Sequence, residues 1–183
     1  MQRLLALAFS ASIIALFVPA STTAADGSVK VGKAAPGFTV KNQADKDTSL
    51  SDFKGQWVVL YFYPKDDTPG CTAEACEFTE SIADFKEMNA TIIGVSADSV
   101  ESHQKFIKKY DLKITLRSDP KREVMKAYGA YVETEKDGKK TGKVVRSTVI
   151  INPEGVVAFH YPTVNPRGHA KEVKAKVEEL KKK

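Results

Sequence analysis

The sequence predicts an α/β protein in which a mixed central β-sheet is flanked by helices. Three observations carry this. Residues 57–63 are all aromatic or aliphatic with high β-propensity, the mark of a strand buried on both faces. Downstream, apolar residues recur at spacings of three and four between short β-prone runs, so helices alternate with strands. The chain then closes with a strand pair and a terminal helix, the order of a sheet covered on its faces.

In chain order, Phe38-Thr39-Val40 reads as a short strand after a polar lead-in at 26–32. Residues 49–53 make a turn, and the strand at 57–63 ends at Pro64, which has no N–H to extend a ladder. Ala75, Phe78, Ile82 and Phe85 share one face of an amphipathic helix predicted over 72–88. A strand follows at 91–96, then a helix at 99–110 with Val100, Phe106 and Ile107 as its apolar stripe, then a brief strand at 114–116. Pro120 suits the first turn of a short helix ending near residue 128. Residues 133–142, rich in Lys, Glu and Gly, are expected to form an exposed loop or hairpin tip. Strands at 144–151 and 156–160 flank the turn Asn152-Pro153-Glu154-Gly155, and the terminal helix starts from Gly168. This order matches a thioredoxin-like fold.

The 183 residues accommodate one substantial domain, and nothing in them requires two. Residues 1–25 read as an export signal: Arg3 precedes a run at 4–18 that is apolar apart from Ser10 and Ser12, and small residues follow. Cleavage is expected after Ala25, with Val18-Pro19-Ala20 a second fit, which leaves a domain at 26–183. The apolar run is shorter than the roughly 20 residues of a spanning helix, and no cysteine precedes Cys71 to carry a lipid. No stable membrane association is therefore expected after cleavage, and the expected location is the periplasm or another extracytoplasmic space, where disulfides persist. The net charge of +5 falls to +4 without Arg3, and much of the excess lies at 171–183, where Lys alternates with Glu. A solvated helix with basic residues at its C-terminal end explains that pattern, so no nucleic-acid partner is expected.

Cys71 and Cys76 are the only thiols. The strand at 57–63 feeds a turn that delivers Cys71 to a helix N-terminus. Unpaired backbone N–H groups and the helix dipole there favour thiolate, the reactive form, over thiol. Pro64, Thr68 and Cys71 stand in the pattern Pro-x-x-x-Thr-x-x-Cys, which closely resembles the active-site motif of peroxiredoxins. With the Asp-Asp-Thr-Pro-Gly-Cys-Thr run at 66–72, a second cysteine five residues on, and Arg146-Ser147-Thr148 in a later strand, the chain resembles the Q-type subfamily, the bacterioferritin comigratory proteins. The resemblance covers essentially the whole mature chain, from Ala35 to Ala170.

That resemblance implies a thiol peroxidase reducing hydrogen peroxide and organic hydroperoxides without metal, haem, flavin or other cofactor. Cys71 would be the peroxidatic nucleophile and pass through a sulfenic acid. Thr68 Oγ would accept a hydrogen bond from the peroxide while giving its own proton to the thiolate. Arg146 would stabilise thiolate and the developing charge on the leaving oxygen, and Pro64 would shape the pocket and shield the sulfur. Cys76 would be the resolving cysteine, with a thioredoxin-like donor reducing the disulfide; relatives of this type are frequently monomers. If both cysteines lie on one helix, they are separated by about 7.5 Å along the axis and about 140° around it. A disulfide needs Cα atoms within about 7 Å, so the helix must unwind locally to close it.

Singly, Thr68 reads as a turn residue and Arg146 as a partner for a surface acid; the joint pattern favours the peroxidase. A structural disulfide, a thiol-disulfide oxidoreductase acting on protein disulfides, and a non-catalytic binding or metal-carrying domain stand as alternatives. Against them count the short disulfide loop, the absence of Cys-x-x-Cys and the absence of a ligand set. Phe78-Thr79-Glu80 stands where many Q-type relatives have an Arg in a Phe-Arg-Asp context, so the resemblance does not carry over a supporting role for a second arginine, while the Cys71 chemistry is unaffected. His103, His160 and His169 read as structural or solvated.

Overall fold

The computed structural model describes residues 29–136 and 139–182; the expected export signal at 1–25 lies outside them, as do Asp137 and Gly138 of the expected tip. Strand β1 (Thr39–Asn42) pairs antiparallel with β2 (Asp47–Ser49). The turn between them is held by Asn42 Oδ1, which accepts from the Ala44 and Lys46 amides at 2.8 and 3.1 Å. The sequence reading lacked β2, because Asp-Thr-Ser offers no apolar alternation. A short 3₁₀ helix at Leu50–Phe53 replaces the expected turn and leads to β3 (Trp57–Phe62), buried beyond Trp57 as the apolar run requires.

The single helix expected over 72–88 is two: α1 (Pro69–Glu80) and α2 (Ile82–Glu87). It begins earlier because Pro69 occupies the first helical position, and it breaks at Ser81, whose backbone leaves the helical region at ψ 4°. β4 (Ala90–Ser96) and β5 (Thr115–Ser118) flank α3 (Val100–Tyr110), whose Ser99 cap accepts from the Ser102 amide at 3.3 Å. Helix α4 (Glu123–Ala127) is shorter than expected. Asp119 accepts the Glu123 and Met125 amides at 3.0 and 2.9 Å, which starts the helix at Glu123 and leaves Pro120 in the preceding turn.

The charged stretch at 133–142 belongs to a separate hairpin of β6 (Tyr131–Lys136) and β7 (Lys139–Val144). β8 (Ser147–Ile151), β9 (Val157–Tyr161) and α5 (His169–Lys181) complete the chain. The strand expected at 144–151 is therefore interrupted, and Arg146 stands in the break between β7 and β8, not in a strand.

The main sheet has the order β2-β1-β5-β4-β3-β8-β9, with β3, β4 and β5 parallel at its centre and the other pairings antiparallel. The two-residue strand period divides β3 between two cores. Val59 and Tyr61, with Tyr63 just beyond, pack with Phe78, Phe85, Phe106, Val173 and Val177. Val58, Leu60 and Phe62 pack with Phe38, Val124, Met125 and Tyr128. Gly94 of β4 is required by the neighbouring ring: a Cβ there would lie 2.6 Å from Tyr61 Cζ and Oη. Among the described residues no helix is long and apolar enough to cross a membrane.

Candidate active site

Three adjoining pieces of backbone build the site. β3 ends at Phe62, and Pro64 follows with its ring exposed. The loop then passes through Asp67, which is left-handed at φ 57°, to Thr68 in extended geometry at the N-cap of α1. Pro69 and Gly70 are the first two helical residues and Cys71 the third, so the Gly70 and Cys71 amides have no intrahelical acceptor. Cys71 is 2 % exposed. Both cysteines are free and lie on the one intact helix, as the sequence required for a reduced form.

Arg146 reaches this sulfur because the chain leaves the sheet at that residue. Its Nη2 donates to Cys71 Sγ at 3.1 Å, its Nη1 to Glu74 Oε2, and its backbone oxygen accepts from Val164 N at 3.1 Å. One planar fork thus ties the sulfur to a carboxylate one turn along α1, which a point-charge lysine cannot do. Burial alone would lower the Arg146 pKa, but Glu74 and Cys71 outweigh it and raise the value. Burial raises the Cys76 thiol, and Glu80 raises it further. The cation stands beside Cys71, and Cys76 is the half-buried thiol that follows.

Thr68 is placed differently from expectation. Its hydroxyl donates to Lys65 O at 3.0 Å, and the donor to the sulfur is Arg146. A carbonyl three residues back in the same turn holds that hydrogen, so the hydroxyl oxygen is left as an acceptor. Pro64 ends the strand as expected and is exposed, and Pro166, which sequence reasoning missed, lies against the first turn of α1. A Cβ on Gly70 would meet Pro166 Cγ at 3.2 Å and Arg146 Nη2 at 3.6 Å, so a side chain there would have to push the 166 ring back from the first turn of α1 by a few tenths of an ångström.

Glu74 was also missed. It is 0 % exposed, and its Oε1 has no hydrogen-bond partner among the described residues. Its position three residues after Cys71 on a helix was the available signal, since such residues share a face. Burial pushes its carboxyl up to about 7 against the opposing pull of Arg146. A carboxyl held above its ordinary 4.5 contributes stability that is full below about pH 4.5 and is lost as pH rises to about 7. The gap corresponds to roughly 3 kcal/mol. Denaturant unfolding at about pH 5 and about pH 8 should therefore show the parent losing stability by up to that amount, and Glu74→Gln should remove this component. An unchanged pH difference in the variant would refute the assignment.

Among the described residues, none of the three histidines forms a hydrogen bond to either cysteine. His169 is buried with Nε2 2.8 Å from Thr148 Oγ1 and its ring edge-on to Phe78 and Tyr161; burial lowers its pKa against the pull of Glu172. His103 is buried against Asp66, and His160 is half-buried. No group of three metal-ligating side chains occurs among the described residues.

Residues 31–160 match the AhpC/TSA family. The chloroplastic peroxiredoxin Q of Triticum aestivum is 45% identical over 142 residues, 78% of this chain and 63% of that protein. Peroxiredoxin Bcp of Bacillus subtilis is 37% identical over 155 residues, 85% of this chain and 99% of that one. Among solved structures, the Xanthomonas campestris bacterioferritin comigratory protein superimposes with a TM-score of 0.74 at 35% identity, covering 78% of this chain and 90% of its own. The thioredoxin-like architecture read from the element order is the fold of these relatives. A free, buried cysteine at a helix N-terminus, held by an arginine on that scaffold, places this chain in the AhpC/TSA family as a peroxiredoxin of the Bcp/Q type, a thiol-dependent peroxidase.

Proposed function

We propose that Cys71 is the peroxidatic cysteine and Cys76 the resolving one, acting on hydrogen peroxide and organic hydroperoxides. The observation that carries this is the Arg146 guanidinium on Cys71 Sγ at the start of α1. The thiolate attacks one peroxide oxygen as the O–O bond breaks; sulfur becomes sulfenic acid, and the other oxygen leaves as alkoxide or hydroxide and takes a proton. Arg146 and the Gly70 and Cys71 amides are the donors for that charge. Cys76 sulfur then attacks the sulfenic sulfur and water leaves, forming the disulfide. A dithiol donor returns two electrons and two protons. Organic substrates are supported by the alkyl peroxide reduction activity of the Xanthomonas campestris relative.

The signal pattern at 1–25 supports an exported, periplasmic protein, which makes the donor a membrane-tethered or periplasmic thioredoxin-like protein; a mature chain beginning at Asp26 on N-terminal sequencing checks the cleavage. Only Val31 and Val132 are exposed large hydrophobics among the described residues, which supports a monomer. The test of function is stopped-flow thiol loss in the reduced mature protein with one equivalent of hydrogen peroxide. Rapid loss of both thiols is expected. Oxidation no faster than that of free cysteine would overturn the proposal and move action on protein disulfides to the front.

A further inference from the structure

Two residues before Thr68, the side chain of Asp66 gathers three donors. Tyr63 Oη donates to one carboxylate oxygen at 2.7 Å, and Ser102 Oγ and His103 Nδ1 donate to the other at 2.8 Å each. A carboxylate only accepts, so Nδ1 carries the hydrogen. Asp66 is 5 % exposed and His103 0 %. A buried carboxylate satisfied this fully is rigid.

The backbone links this cluster to the chemistry. The peptide group joining Lys65 and Asp66 donates its N–H to Asp98 Oδ2 at 2.9 Å, and its carbonyl accepts the Thr68 hydroxyl at 3.0 Å. Asp98 is held in turn by Ser96 Oγ at 2.6 Å. The next residue, Asp67, is left-handed, and its carboxylate is gripped by Lys109 Nζ at 2.7 and 2.8 Å and Tyr110 Oη at 2.6 Å. A non-glycine residue persists in that region only where its surroundings hold it. Ser102, His103, Lys109 and Tyr110 all belong to α3, so that helix clamps the loop from both of its ends.

We propose that Asp66, braced by His103, is a positioning residue of the peroxidase site: it fixes the 65–66 peptide group and thereby aims the Thr68 hydroxyl at the peroxide. The inference rests on the peroxidase reading of Thr68. Without the imidazole donor the peptide group gains freedom to turn, and the hydroxyl loses the fixed acceptor that sets its rotor. Cys71, Arg146 and Glu74 keep their own contacts, so the sulfur itself is not altered.

The test is a double-mutant cycle between His103→Leu and Thr68→Val, read by two reactions of Cys71 in stopped flow. His103→Leu is expected to slow oxidation by hydrogen peroxide about tenfold, within the range that misplacing a catalytic group costs. Alkylation by iodoacetamide, which has no O–O bond to orient, should stay within about twofold. Thr68→Val should be slow with peroxide by itself, and adding His103→Leu to it should cost nothing more. His103→Asn, which keeps a donor near the Nδ1 position, should recover most of the rate. Equal losses in the two reactions, or losses that multiply in the double variant, would overturn the inference. A parent-like Thr68→Val would instead overturn the role of Thr68 on which it rests. Where His103→Leu does not fold, Ser102→Ala removes a second donor from the same carboxylate oxygen at a half-buried position, and about a threefold loss is expected through the same cycle.

Discussion

Serine in place of Cys71 is expected to abolish peroxide-dependent oxidation, whereas serine in place of Cys76 should leave the first oxidation intact and strand Cys71 as a sulfenic acid. The asymmetry follows from their surroundings. Cys71 has the Arg146 donor and the free amides of the first helical turn, while burial and Glu80 hold the Cys76 thiol in its protonated form. Both lie on an intact α1, and closing the bond brings together residues about 7.5 Å apart along the axis and on different faces. The burial of Cys71, Ala75 and Phe78 and the grip of Glu77, whose two oxygens accept from Gly168 N at 3.0 and 2.8 Å, oppose that unwinding. Amide exchange should therefore show protection lost at 71–80 on oxidation while β3 and β4 keep theirs. A trapped sulfenic acid in Cys71→Ser, or equal protection of 71–80 in the two redox states, would sink this assignment.

Arg146→Gln is expected to slow the reaction of Cys71 with hydrogen peroxide by about 10²- to 10³-fold, the size of losing a donor aimed at developing charge. It should also destabilise the fold by up to about 3 kcal/mol at high pH, because Glu74 is left buried without its counter-ion. That second cost shrinks as pH falls and is gone below about 7, because without the opposing pull of Arg146 the Glu74 carboxyl takes its proton at higher pH than in the parent. Adding Glu74→Gln to Arg146→Gln should restore much of the stability and none of the rate. Arg146→Lys should fall between, since an ammonium cannot bond sulfur and carboxylate in one plane. A peroxide rate for Arg146→Gln within about threefold of the parent would remove the guanidinium from the chemistry.

Not every feature of this protein was equally legible before folding. The buried strand at β3 was plain, because a run of aromatic and β-branched residues has one low-energy use in a soluble sheet. The break at Ser81, the late start of α4 and the interruption at Val145 and Arg146 were not: Asp119 sets the start of α4 from the preceding turn, and the Ala130 carbonyl and Val164 amide hold the chain at 145–146 from other segments. The motif announced Cys71 and Thr68, yet the acceptor that Thr68 takes was hidden, as were Glu74, Pro166 and the Asp66 cluster. The last three depend on residues brought in from distant positions: Arg146 is 75 residues from Cys71, and His103 is 37 from Asp66.

Sequence alone determined the chemistry of this protein: a thiol delivered by a strand and a proline-bounded turn to the start of a helix, where backbone N–H groups lack intrahelical acceptors. Tertiary structure decided what surrounds that thiol. The sheet pairing brought Arg146 out of its expected strand onto the sulfur, buried Glu74 behind it, and bolted the loop before Thr68 to α3. Those contacts join residues far apart in the chain, and only the packing of the two cores specifies their distances.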